Sequence, residues 1–186
     1  MGPMLWISLG VVGILVIWLI AAYNRLVSGR NEVRNAWSQI DVQLKRRHDL
    51  IPNLVETVKG YATHEKETLD RVITARSRAV GAHGPAQAAA AEGELSQALG
   101  RLMVVAEQYP DLKANQNFAG LQEELTSTEN KIGFARQFYN DSVMTYNTRL
   151  ESFPTNTVGG MFGFEKEEFF ELTDTAQRET PRVSFS

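Results

Sequence analysis

Three histidines, His48, His64 and His83, are the side chains best suited to move a proton near neutral pH or to ligate a metal, and they are scattered along the chain. A zinc-protease helix needs two histidines four residues apart, but in His64-Glu65-Lys66-Glu67 the second position is Thr68. The chain has no cysteine, which excludes disulfides, thiolate metal sites and cysteine nucleophiles. Gly159, Gly160 and Gly163 fall in Gly-Gly-Met-Phe-Gly-Phe, which lacks the lysine and the preceding strand of a phosphate-binding loop. No catalytic, cofactor-binding or metal-ligating residue is therefore identified. The chain reads as non-enzymatic, with no cofactor and no small-molecule substrate expected.

Two other sets of residues have the chemistry of contact rather than catalysis. Lys45-Arg46-Arg47-His48-Asp49, just before Ile51-Pro52, sets basic groups around a helix. Lys45, Arg46 and His48 are candidates for holding a partner or an anionic headgroup; the alternative is that they are simply solvated. Arg47 occupies the one missing slot of an apolar stripe, so it is expected to lie across a helix seam and pair with an acid; Glu123, Glu124 and Glu129 are the candidates. The second set is Met161, Phe162, Phe164, Phe169 and Phe170, in an aromatic, glycine-containing segment too short to span a membrane. It is either a latch on the side of the fold or an adaptable interfacial or partner-binding surface.

The elements that position these residues begin with an apolar run. From Met4 to Tyr23 there is no charge, and about twenty residues at 1.5 Å each cross a hydrocarbon core of roughly 30 Å. Trp6, Trp18 and Tyr23 are suited to the interfaces. A cleavable signal peptide would carry Lys or Arg in its first residues, where this chain has Met-Gly-Pro-Met-Leu, so an uncleaved anchor is expected. Arg25, Arg30 and Arg34 follow the span, which predicts a cytoplasmic C-terminal part.

The rest reads as helices. Val33, Trp37, Ile40, Leu44, Ile51, Leu54, Val58 and Tyr61 recur at steps of three and four, which predicts a long helix continuing from the anchor, kinked near Asp49 by Pro52. A second helix is expected from an N-cap at Thr63, with Leu69, Val72, Ile73 and Val80 apolar. The turn Gly81-Ala82-His83-Gly84 leads to a third helix with Pro85 first and a stripe of Leu95, Leu99, Leu102, Ala106 and Tyr109. In the last long helix, Phe118, Leu125, Ile132, Tyr139, Tyr146 and Phe153 stand seven apart beside a smaller row of Leu121, Thr128, Ala135 and Ser142. That pairing of large and small rows predicts close antiparallel packing on the first helix. The fold class is all-α, an N-terminal transmembrane helix and then an antiparallel bundle of three to four helices with reversals near Thr63, Gly84 and Pro110. The expected divisions are an anchor at 1–23, a bundle at 24–157, an aromatic and glycine tail at 158–172 and a disordered tail at 173–186.

Charge adds to this picture. The net charge of −3 carries no nucleic-acid footprint, yet residues 24–78 hold eleven Lys and Arg against seven Asp and Glu, and the remainder eight against fifteen. A basic membrane-proximal half fits a neighbour rich in anionic lipid.

Longer runs of residues carry a resemblance. Ala21-Ala22-Tyr23-Asn24-Arg25-Leu26-Val27, then Trp37 through Val55 with Asp49-Leu50-Ile51-Pro52-Asn53-Leu54, Gly60-Tyr61-Ala62, Leu121-Gln122-Glu123-Glu124-Leu125, Tyr139-Asn140, Phe153-Pro154 and Phe162-Gly163-Phe164 resemble the LemA family. The likeness extends from the anchor to Phe170 and leaves out the tail after Leu172. It implies a bacterial inner-membrane protein with one anchor and a helical bundle, and it brings no catalytic residues. A relative in magnetosome membranes implies a structural or membrane-organising role. The expected function is a membrane-anchored scaffold or adaptor that forms homo-oligomers or holds another membrane protein. The alternatives are a membrane-remodelling, lipid-contacting protein and, further off, an enzyme or sensor with a site inside the bundle.

Overall fold

A computed structural model describes residues 2–171; the expected disordered tail lies outside them, as does Leu172. Six helices follow in order: α1 (Pro3–Lys59), α2 (Lys66–Val80), α3 (Pro85–Ala106), α4 (Pro110–Lys113), α5 (Gln116–Glu151) and α6 (Thr155–Met161). Among the described residues there is no strand, and α1 alone is long and apolar enough to cross a membrane. Ile7, Val12, Ile14 and Ile17 of that stretch are all exposed, as lipid-facing side chains of a single span would be.

The helix α1 leaves the apolar stretch without a break, as expected, and Pro52 lies inside it rather than ending it. Proline has no N–H to give the carbonyl four residues earlier, which belongs to His48. Arg76 of α2 takes the vacated position, its Nε donating to the His48 carbonyl at 2.7 Å. A side chain from a second helix thus closes the gap that proline opens in the first.

The described residues pack as two compact units, one formed by 2–40 with Ala135–Glu168, the other by Asp41–Phe134 with 169–171. In the first, Ala22, Leu26, Gly29, Val33, Ala36 and Ile40 are buried at alternating steps of three and four, against Tyr139, Ser142, Val143 and Tyr146 of α5. The helices run antiparallel: a Cβ on Gly29 would stand 3.2 Å from Cδ2 of Tyr146, and the Trp37 and Tyr139 rings are 5.5 Å apart. The buried Ser142 hydroxyl donates to the Phe138 carbonyl one turn back, so the small row enters the seam with no donor stranded.

In the second unit, Ile51, Leu54 and Val58 of α1 meet Leu69, Val72, Ala75 and Ala79 of α2, and Leu95, Leu99 and Leu102 of α3 complete the core. Each fully buried Val, Leu or Ile contributes about 1.5–3 kcal/mol against conformational entropy. Gly84 has φ 79°, a conformation open to glycine, and releases the chain into Pro85 at the first turn of α3. Asn115 starts α5, its Oδ1 accepting from the N–H groups of Asn117 and Phe118.

Several expectations are corrected. The helix α2 begins at Lys66 after Glu65, not at a Thr63 cap, and its buried stripe is Leu69, Val72, Ala75 and Ala79, so Ile73 and Val80, each about 100° round the helix from that stripe, are exposed. Tyr61 and Phe153 each lie two residues past a helix end, where helical spacing no longer fixes direction, and both are exposed. The short α4 and α6 carry too few residues to show a period.

Candidate functional site

In the second unit Arg47 stands on the buried side of α1, as its place in the stripe implied, but its closest acid lies on α3. Arg47 Nη1 donates to Glu92 Oε2 at 2.9 Å and Nη2 to the Ser96 hydroxyl at 2.7 Å. Both charged residues are 3% exposed, so neither charge is solvated by water. Of the acids anticipated from the sequence, Glu129 makes a second contact with Arg47 at 3.2 Å and Glu124 stands 3.9 Å from Arg46. His48 Nε2 lies 2.5 Å from the other carboxylate oxygen of Glu92. One carboxylate therefore holds two neighbouring side chains of α1, and His48 is engaged inside the fold instead of standing free on the surface. Lys45 and Arg46 remain exposed. Among the described residues no three of His, Asp and Glu come together to hold a metal ion.

In the first unit the segment after α6 lies along α5 as a latch. The Tyr139 hydroxyl donates to the Glu168 carbonyl at 2.7 Å and the Tyr146 hydroxyl to the Glu165 carbonyl at 3.0 Å. Asn147 uses both ends of its amide, donating from Nδ2 to the Glu167 carbonyl and accepting the Glu167 N–H on Oδ1. Burial, then the Glu167 and Glu168 carboxylates, push the Tyr139 phenol up to about 12. Burial likewise raises Tyr146, where Glu167 and Glu165 add to the rise and Arg30 and Arg34 oppose it.

The anticipated contact residues divide along this latch. Phe164 is partly buried, 5.6 Å from the Tyr23 ring and with the Arg30 guanidinium 5.0 Å from its centroid. Phe162 lies edge-on to Tyr23 at 4.9 Å and keeps half its surface open. Met161 is 68% exposed and Phe169 is also open. Phe170 is 1% exposed: as a large apolar side chain it belongs to the interior and is not a contact surface. The sequence did not single out Glu92, which lies in an alanine-rich stretch, nor Asn147, because a polar residue on a solvated-looking helix face carries no periodic signal.

A helix long and apolar enough to cross a membrane, leading into helical units, marks a membrane-associated all-helical protein. The chain belongs to the LemA family, whose profile matches residues 36–185. It is 27% identical over 179 residues to the magnetosome protein MamQ 2 of Paramagnetospirillum magneticum, covering 82% of this chain and 66% of that one. The MamQ of Magnetospirillum gryphiswaldense is 26% identical over 178 residues, covering 82% of this chain and 65% of that one. The protein LemA of Metamycoplasma hominis is 26% identical over 167 residues, covering 88% and 75%. This chain thus spans about two thirds of the length of the magnetosome relatives it matches, and none of these names is that of an enzyme.

Proposed function

We propose that the chain is a membrane-anchored, non-enzymatic scaffold or adaptor that self-associates at the cytoplasmic face of a bacterial inner membrane. The observation that carries this reading is large apolar area left open on α1 and α5 of the second unit. Arg47 meets Glu129 across the antiparallel pair, so five residues on, Val42 of α1 and Phe134 of α5 come level with each other. Both face water, Phe134 with 75% of its surface. Each stands two residues from a buried seam position, Val42 between Ile40 and Leu44 and Phe134 after Ile132, so they lie on the outer faces of the two helices, where each offers apolar area to a second copy. The unbroken passage of α1 from the anchor into the fold supports the reading, because it gives the bundle a stiff stem. The arginines at 25, 30 and 34 support the cytoplasmic side. A partner of another kind would use the same surface.

The test is the mass of the full-length protein in detergent by light scattering, beside a Val42→Ser/Phe134→Ser variant. Defined assemblies that fall to monomer in the variant would support the scaffold reading. A monomeric wild type would refute self-association and direct attention to a captured partner.

A further inference from the structure

We propose that the protein has a second foothold in the membrane: the turn from α5 into α6, with Phe153, Met161 and Phe162, enters the interfacial layer of the same bilayer that α1 spans. The inference rests on the reading of residues 4–23 as a membrane anchor and extends it to a surface of the folded part.

Position along α1 carries the argument. Gly29 faces Tyr146, and the helices run in opposite directions, so Glu151, the last residue of α5 and five beyond Tyr146, comes level with about Asn24, five before Gly29, and Phe153 follows in the turn two residues later. Phe162 reaches the same level by a direct contact, its ring 4.9 Å from that of Tyr23. The α6 backbone beside it is fixed at Gly159, where a Cβ would lie 3.9 Å from Leu26 Cδ1. Ala22 and Tyr23 are the last residues of the uncharged stretch, where a spanning helix emerges from hydrocarbon. At this level the fold exposes three large apolar side chains: Phe153 at 85%, Met161 at 68% and Phe162 at 50%.

In water such a cluster would be a liability. At the end of a transmembrane helix it sits beside lipid headgroups and upper acyl chains, where aromatic side chains concentrate and apolar area is covered without a protein partner. The charges are placed to match. Arg25, Arg149 and the Glu151–Lys166 ion pair come one to three residues farther from the apolar stretch on the same helices or the latch, within reach of phosphate groups or water. The occupant is thus the bilayer already entered by the anchor, and the surface is continuous with the span.

The absence of native cysteine makes the test clean. Single-cysteine variants Phe153→Cys, Met161→Cys and Phe162→Cys of the full-length protein are spin-labelled, reconstituted into vesicles of phosphatidylethanolamine and phosphatidylglycerol, and measured for collision with oxygen and with a water-soluble nickel chelate. Ile14→Cys serves as the hydrocarbon control and Ser127→Cys as the aqueous one. The expected result at 153, 161 and 162 is an oxygen-to-nickel ratio several-fold above that at 127 and below that at 14. Ratios equal to that at 127, or low collision with both reagents, would overturn the foothold; the second pattern would mean that protein covers the surface. An aqueous label at 14 would overturn the anchor reading itself, so the two failures are told apart.

Discussion

Replacing Glu92 by leucine isolates the energetics of the buried pair. The substitution leaves the Arg47 guanidinium in place, 4% exposed, with only Ser96 at 2.7 Å and the half-exposed Glu129 at 3.2 Å, and it deprives His48 of its acceptor. Breaking a buried pair by removing one partner costs about 3–5 kcal/mol, because the remaining charge stays out of water without compensation. Glu129 still supplies a carboxylate, so the lower end, about 3 kcal/mol, is expected. For a chain of this size that loss lowers Tm by about 6–12 °C. Removing both charges together, as Arg47→Met/Glu92→Leu, is expected to return stability close to or above the wild type, since the desolvation of both ions is then avoided. Glu129→Ala, at a solvated site, is expected to cost less than about 1 kcal/mol. Thermal unfolding of full-length protein in detergent, followed by circular dichroism, reads all three. A Glu92→Leu loss below about 1 kcal/mol, or a double variant as unstable as the single one, would refute the assignment of a desolvated pair.

Other outcomes follow from single contacts. Arg76→Ala is expected to cost about 1.5–3 kcal/mol by stripping the His48 carbonyl of a charged donor, and much less beside Pro52→Ala, which restores the helical N–H; a double-mutant cycle on unfolding free energy checks the coupling. Gly29→Ala is expected to lower stability by about 1 kcal/mol, because the Tyr146 ring it would press is pinned through its hydroxyl, whereas Gly100→Ala in an open helix position is expected to raise it by about 0.5–1 kcal/mol. The phenol of Tyr139 is favoured neutral in the folded chain. Its contribution to stability is therefore complete below the ordinary tyrosine value near 10 and is lost as pH rises through about 12, so a phenolate titration by ultraviolet absorbance should show its last step vanish in Tyr139→Phe.

The helices and their seams were legible because burial repeats at helical spacing: Leu125, Ile132, Tyr139 and Tyr146 are all buried as their seven-residue steps required. Arg47 was legible as a defect in a stripe. Its principal partner was not, since an acid at position 92 or 94 looks the same until the phase of α3 is known, and the alanines around it fit either face. Phe153 was misread by extending a helical period past Glu151, where the helix ends. The latch was one of the two readings of its aromatic and glycine-containing segment, but the bonds that hold it were not legible: side chains that bond to backbone select no residue type in their target, so the target leaves no signature in the sequence.

That property of the latch makes it a place to write on the protein. Asn147, Tyr139 and Tyr146 grip amide and carbonyl groups between Glu165 and Glu168, while the Glu165 and Glu168 side chains project into solvent. A fluorophore, an affinity handle or an altered charge at either position would ride on a main chain held by bonds it does not disturb, giving a reporter fixed close to α5.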